Sequence, residues 1–323
     1  MALMVVLPLF YPGAYARATQ NPPATQGAQS HGAQPQKAQQ PIRIEVNLVN
    51  LFATVRDKKS KQIVSSLEQN DFNVSEDGVP QKISFFSKDS KLPVTLGLLL
   101  DTSGSEQYTL GAEQDAATRF LQRIMRKGDL TSVFSFDTDT DLLADFTDDL
   151  GILDRAIRRA RINTPGAQGP LARDVPGTVF YDAVYLACHD KLAGEAGRKA
   201  LIILTDAQDE GSQLRVQDAI ETAQRTDTVV HILLIGDPYH FNVNEGVAKK
   251  LTDETGGRTI LVRGEKNLEQ AFDQISDELR SQYTIGYTST NQARDGSYRK
   301  VKLETTRKDL DVLTRRGYYA PKD

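Results

Sequence analysis

The chain has 323 residues, 39% of them apolar and 25% charged, enough for roughly two folded domains with sizeable cores. Its 39 lysines and arginines against 43 acids exclude the basic face of a nucleic-acid-binding protein. One cysteine, Cys188, excludes an internal disulfide framework and a cysteine-rich zinc site. The four histidines lack the spacing of a zinc hydrolase.

Residues 1–16 read as an export signal. Met1 to Tyr11 is mostly apolar, Pro12-Gly13 breaks the run, and Ala14-Tyr15-Ala16 has the small-x-small form that precedes signal-peptidase cleavage. The stretch is shorter than the roughly 20 apolar residues of a bilayer span. The basic residues expected ahead of it are missing, as in a signal peptide cut short. Residues 17–41 hold seven glutamines and no aliphatic side chain larger than alanine up to residue 40, the composition of a flexible linker. The predicted location is secreted, periplasmic or cell-envelope.

Residues 42–91 alternate as strands do. Ile42, Ile44, Val46 and Leu48 share one phase, and Val49, Leu51, Ala53 and Val55 take the other, which predicts a bulge within one long strand. Phe72 and Val74 before Asp77-Gly78, with Ile83 and Phe85 after it, predict a hairpin.

From 92 to 281 apolar strands alternate with amphipathic helices. Strands are predicted at 94–100, 130–136, 142–146, 200–204, 229–235 and 259–262. Helices are predicted at 106–127, 153–161, 180–192, 214–226, 244–255 and 267–283. This order gives a mainly parallel sheet covered on both faces. Residues 282–323 return to strands. Neither 42–91 nor 282–323 is long enough to bury a good core alone. The predicted fold class is therefore α/β: a Rossmann-like, doubly wound domain inserted in a small all-β, sandwich-like domain built from both chain ends.

The chemistry concentrates where apolar strands stop. In "LGLLLDTSGSEQ" Asp101 ends a strand, and Ser103 and Ser105 follow at every second position. In "ALIILTDAQDE" Asp206 ends another strand, and "PGTVFYDAV" sets Thr178 at the start of a helix. Open α/β sheets bind ligands outside the carboxyl ends of their strands. Three hydroxyls and two carboxylates converging there form an all-oxygen set suited to a hard divalent cation.

These segments resemble the von Willebrand factor A-type (VWA) family. "DTSGS" matches its DxSxS signature, "GTVFYDA" is similar to its threonine loop, and "LTDAQD" to its strand-end TD segment. Together they resemble the metal-ion-dependent adhesion site. The resemblance implies Ser103, Ser105 and Thr178 as hydroxyl ligands of Mg²⁺ (or Mn²⁺ or Ca²⁺), with Asp101 and Asp206 binding directly or through water. It implies a cation that completes its coordination with a carboxylate of a protein or other envelope ligand, and no nucleic acid or transmembrane span. Ala207 stands where the family usually has glycine. The segments "VNLVNLFATVRDKKSK", "DFNVSEDGVPQKISFF" and "RRGYYAP" resemble the exported VWA-related proteins of acidobacteria.

The alternative is a Mg²⁺-dependent, phosphohydrolase-like enzyme with Asp101 as nucleophile. That chemistry wants a second acid two residues on and a lysine for phosphate; position 103 is serine and these loops hold no lysine. Nucleotide binding would want GxGxxG or a P-loop, and neither occurs. A non-enzymatic binding module is the expected function. Asp137, Asp139, Asp141, Asp209 and Glu210 read as solvated loop acids, and Cys188 and His189 as packing or surface residues of a helix.

Overall fold

The computed structural model describes residues 48–88, 92–162, 177–236 and 242–322. The export signal, the linker and the strand residues before Leu48 lie outside them. In chain order the first strands are β1 (Leu48–Asp57), β2 (Phe72–Glu76), β3 (Val79–Gln81) and β4 (Ile83–Ser87). The α/β part follows with β5 (Val94–Asp101), α1 (Leu110–Ile124), β6 (Leu130–Phe136), β7 (Thr140–Thr147), α2 (Leu150–Ile157) and α3 (Phe180–Leu186). It continues with β8 (Arg198–Thr205), α4 (Val216–Arg225), β9 (Thr228–Leu234), α5 (Glu245–Thr255), β10 (Thr259–Leu261) and α6 (Glu265–Arg280). The last strands are β11 (Tyr283–Thr288), β12 (Tyr298–Thr305), β13 (Leu310–Leu313) and β14 (Gly317–Tyr319).

Six strands form the central sheet, ordered β10-β9-β8-β5-β6-β7. All neighbours are parallel except β6 and β7. Strand alternation divides its core in two. Leu96, Leu98 and Leu100 of β5, with Ala200, Ile202 and Leu204 of β8, pack against α1, α2 and α6. Leu99, Leu201 and Ile203 face α3, α4 and α5. A sheet covered on both faces needs apolar side chains at every position, and so these strands read as unbroken apolar runs. The chain starts at β5, moves to β6 on one side and later to β8 on the other. The crevice above β5 and β8 is therefore the topological switch point.

The remaining eight strands form two four-stranded sheets, β13-β1-β11-β4 and β14-β12-β2-β3. In the first, β1 pairs antiparallel with β11 and β13, and β11 with β4. In the second, β12 pairs antiparallel with β2 and β14. Leu51, Val55, Ile285 and Tyr287 from one sheet share a core with Phe72, Val74, Val301 and Leu303 from the other. A buried polar group crosses this core. Glu76 accepts hydrogen bonds from the hydroxyls of Tyr287 at 2.8 Å, Tyr318 at 2.9 Å and Ser289 at 2.6 Å, and faces Arg299 at 3.4 Å.

Three sequence readings change. The hairpin at Asp77-Gly78 is real, but its return strand divides at Lys82: β3 pairs with β2, while β4 leaves for the other sheet and pairs with β11. The helix expected over 180–192 ends at Leu186 and continues as a wider i→i+5 turn, Ala187–Lys191. This turn keeps Cys188 and Leu192 buried in the lower core. The helix expected over 267–283 ends at Arg280. Tyr283 opens β11 instead, because its ring packs on Phe72 and Phe86 and its hydroxyl bonds the backbone of Val64 and Leu67.

Candidate functional site

Asp101 is the last residue of β5 and is fully buried. Its Oδ1 accepts from the Ser103 amide at 2.9 Å, and its Oδ2 accepts from the Thr205 hydroxyl at 2.6 Å. The first bond folds the chain back so that Ser103 and Ser105 project side by side, their hydroxyls 3.0 Å apart. Asp206 follows β8 directly and is buried; its Oδ1 accepts from the Gln208 amide at 2.9 Å. Ala207 turns the loop with φ of 59°, a left-handed conformation that costs a residue with a Cβ about 1–2 kcal/mol and costs glycine nothing.

Thr178 is buried just ahead of α3. Its neighbours hold it in place: the Val179 amide donates to the carbonyl of Asp137 at 2.7 Å, and the Thr178 carbonyl accepts from the Glu210 amide at 3.1 Å. Asp137 also braces the first loop, since its Oδ2 accepts from the Thr102 hydroxyl at 3.2 Å. Asp209 is tied to the start of α3, accepting from the Tyr181 amide at 3.2 Å and from Ser212 Oγ at 2.5 Å. Asp137 and Asp209, read from sequence as solvated, are thus scaffold residues of the three loops. His189 is exposed beside Asp190, and Cys188 is a buried free thiol that burial pushes up to about 12.

Asp101 and Asp206 come together with a residue the sequence did not single out. Carboxylate oxygens of Asp101, Glu106 and Asp206 all lie within 4.8 Å of one another, and all three residues are buried. Glu106 follows Ser105 in a short 3-10 turn, Gly104–Glu106. Its Oε2 accepts from the Thr109 hydroxyl at 2.7 Å, and its Oε1 is buried without a partner. Burial pushes Asp101 up to about 7, with the charge of Asp206 adding to the effect and bonds from Ser103 and Thr205 opposing it. Burial raises Asp206 as well. Burial, then the charges of Glu113 and Asp101, raise Glu106 far above the usual carboxylate range.

These carboxylates are buried, and buried charges without a partner are costly. Hydroxyls and buried carboxylates with an unsatisfied oxygen fit a hard divalent ion.

No family model matches the chain, and no curated protein does. Solved structures do. The protein BatB from Bacteroides thetaiotaomicron matches at 16% identity and a TM-score of 0.47, over 58% of this chain and 100% of that one. A von Willebrand factor type A protein from Catenulispora acidiphila matches at 14% identity and a TM-score of 0.49, over 80% and 75% of the two chains. Proximal thread matrix protein 1 from the mussel byssus, with a zinc-occupied MIDAS motif, matches at 13% identity and a TM-score of 0.48, over 62% of this chain and 48% of that one.

The chain is similar in fold to von Willebrand factor type A domains. At these identities and TM-scores the likeness carries no role over to this chain. The features that speak of chemistry are the chain's own buried carboxylates and hydroxyls. Among the described residues, no helix is long and apolar enough to cross a membrane.

Proposed function

We propose that the protein is an exported, metal-dependent binding protein of the VWA type, not an enzyme. Asp101, Ser103, Ser105, Thr178 and Asp206 would hold a divalent cation, Mg²⁺ or else Mn²⁺ or Ca²⁺, above β5 and β8. The observation that carries this reading is the convergence of buried Asp101 and Asp206 at the switch point, beside paired serine hydroxyls. Three of the five ligands are neutral, and in this reading Asp101 and Asp206 bind largely through water. A cation so held keeps an attraction for an acidic group from outside, and a carboxylate of a protein or other envelope ligand fits that position. Such a charge-assisted contact in a partly desolvated cleft is worth about 2–4 kcal/mol.

The pairing of β1 with β11 and β13, and of β2 with β12, supports a β domain built from both chain ends, with the type A-like domain inserted between them. In this reading residues 1–16 direct export, and 17–41 tether the folded part in the periplasm, on the envelope or outside the cell.

The test is retention of a native-host envelope fraction by the immobilised protein in Mg²⁺ or EDTA, alongside Asp101→Ala. Retention lost in EDTA and in the variant, with the circular dichroism spectrum intact, is the expected result. Retention indifferent to both would overturn the reading and leave "DTSGS" as a strand-end turn.

A further inference from the structure

Helix α1 carries an acid where its apolar face should continue. Leu110, Ala117, Phe120, Leu121 and Ile124 pack against the sheet, and Glu113 lies among them, fully buried. Neither of its carboxylate oxygens has a partner. Away from the strand ends, the buried acids among the described residues meet arginines: Glu76 faces Arg299, Asp129 meets Arg280, and Glu278 meets both Arg56 and Arg258. Among the described residues, Glu106 and Glu113 form no such pair. They lie against each other instead: the charge of Glu113 adds to the rise of Glu106, and the charge of Asp101 adds to both.

Four buried carboxylates therefore gather at this end of the sheet: Asp206, Asp101 and Glu106 in one cluster, and Glu113 of α1 beside it. One divalent ion at the strand ends would offset half of their charge. The orphaned oxygens, Glu106 Oε1 and both of Glu113, are the ones that a single ion there leaves unanswered.

We propose that this protein holds a second divalent cation, between Glu106 and Glu113, behind the ion of the adhesion-type site. Glu106 bridges the two positions. Four carboxylates then balance two divalent ions, and the desolvation cost of α1's buried acid is met by coordination. Oxygen donors alone select a hard cation of the Mg²⁺, Mn²⁺ or Ca²⁺ class. A cavity of about 480 Å³, lined by Thr109, Ala112, Glu113, Ile235, Val262 and Leu268 among others, opens beside Glu113. It has room for the waters that complete six-fold coordination. Arg263 lines this cavity too and is itself partnered.

This inference rests on the proposed adhesion-type site for its first ion, and the experiment separates the two. Equilibrium dialysis of the full chain against Mn²⁺ should give two ions per chain. Glu113→Gln, which keeps shape and removes charge, should bind one and keep EDTA-sensitive retention of the envelope fraction. Electron paramagnetic resonance of the wild type with two equivalents of Mn²⁺ should show a spin-coupled pair, and Glu113→Gln an isolated six-line spectrum. The resonance result stands even where the variant fails to fold. One ion per chain with an uncoupled spectrum overturns the second site and leaves the first. No bound ion overturns both. Two ions in Glu113→Gln overturns the role of that carboxylate.

Discussion

Burial lifts Asp101 to about 7, and this has a consequence that can be measured without any partner. In the unfolded chain an aspartate titrates near pH 4, about three units lower. The folded, metal-free protein therefore holds this proton more tightly than the unfolded chain does. The resulting stabilisation is complete below about pH 4 and is lost as pH rises through about 7. The melting temperature in chelator should fall between about pH 4 and 7, and saturating Mg²⁺ should remove most of that fall. A metal-free melting temperature that rises over this range would contradict the buried-acid account. Asp101→Ala should weaken Mn²⁺ binding by about 100-fold or more, since a charged ligand is lost. Ser103→Ala removes one neutral oxygen and should weaken it by about 10-fold; calorimetric titration of the two variants gives the order.

That Asp101, Ser103 and Ser105 share one loop at the end of β5 was legible because they are near neighbours in sequence. That Asp206 ends β8 and Thr178 precedes α3 was legible from strand and helix periodicity. Glu106 was not, because an acid in the first turn before a helix is ordinarily a solvated one. Glu113 did leave a signal: it falls three residues after Leu110 and four before Ala117, in the helix's apolar register. Sequence composition cannot say whether such an acid is buried; the docking of α1 on the sheet decides it.

At the scale of elements, periodicity located every strand of the central sheet and each of its helices, and erred where tertiary contacts overrule local pattern. Tyr283 continues the apolar spacing of α6, yet belongs to a strand because its ring and hydroxyl find partners across the β core. The division of the hairpin at Lys82 was invisible, since β3 and β4 are both plausible continuations of one strand. The Glu76 network was invisible too: its members lie on β2, β11, β12 and β14, far apart in sequence. Arg299→Leu would leave the carboxylate of Glu76 buried with hydroxyl partners alone. Loss of one member of a buried ion pair costs about 3–5 kcal/mol. Urea unfolding should show a loss of that size, and a change below about 1 kcal/mol would mean that the tyrosines and Ser289 suffice. Gly257 is a second fixed point. A Cβ there would stand 1.8 Å from the carbonyl oxygen of Val230, so Gly257→Ala must push α5 and β10 away from β9. Overpacking of this kind costs about 1–3 kcal/mol, read in the same urea experiment.

Across the whole molecule, the proposed β domain implies that its first and last strands depend on each other. Deleting 284–323 takes away the partners of β1, β2 and β4. Hydrogen exchange should then show loss of protection over Leu48–Asp57 and Phe72–Glu76; full protection there would mean that the N-terminal strands fold alone. Export is tested by intact mass of the protein from its native host. Cleavage after Ala16 is the expected result, and an uncut cytoplasmic chain would remove that part of the reading. The register of β1 against β11 also has a mechanical meaning. Leu48 pairs with Thr288 and Ala53 with Tyr283, so β1 begins at one end of the strand pair and β11 begins at the other. A pull between Leu48 and Tyr283 therefore drags the two strands lengthwise past each other. The six residue pairs of that ladder share the load at once instead of parting one by one. Single-molecule extension between these two points should give one abrupt high-force rupture, and gradual peeling would show that the tension takes another route.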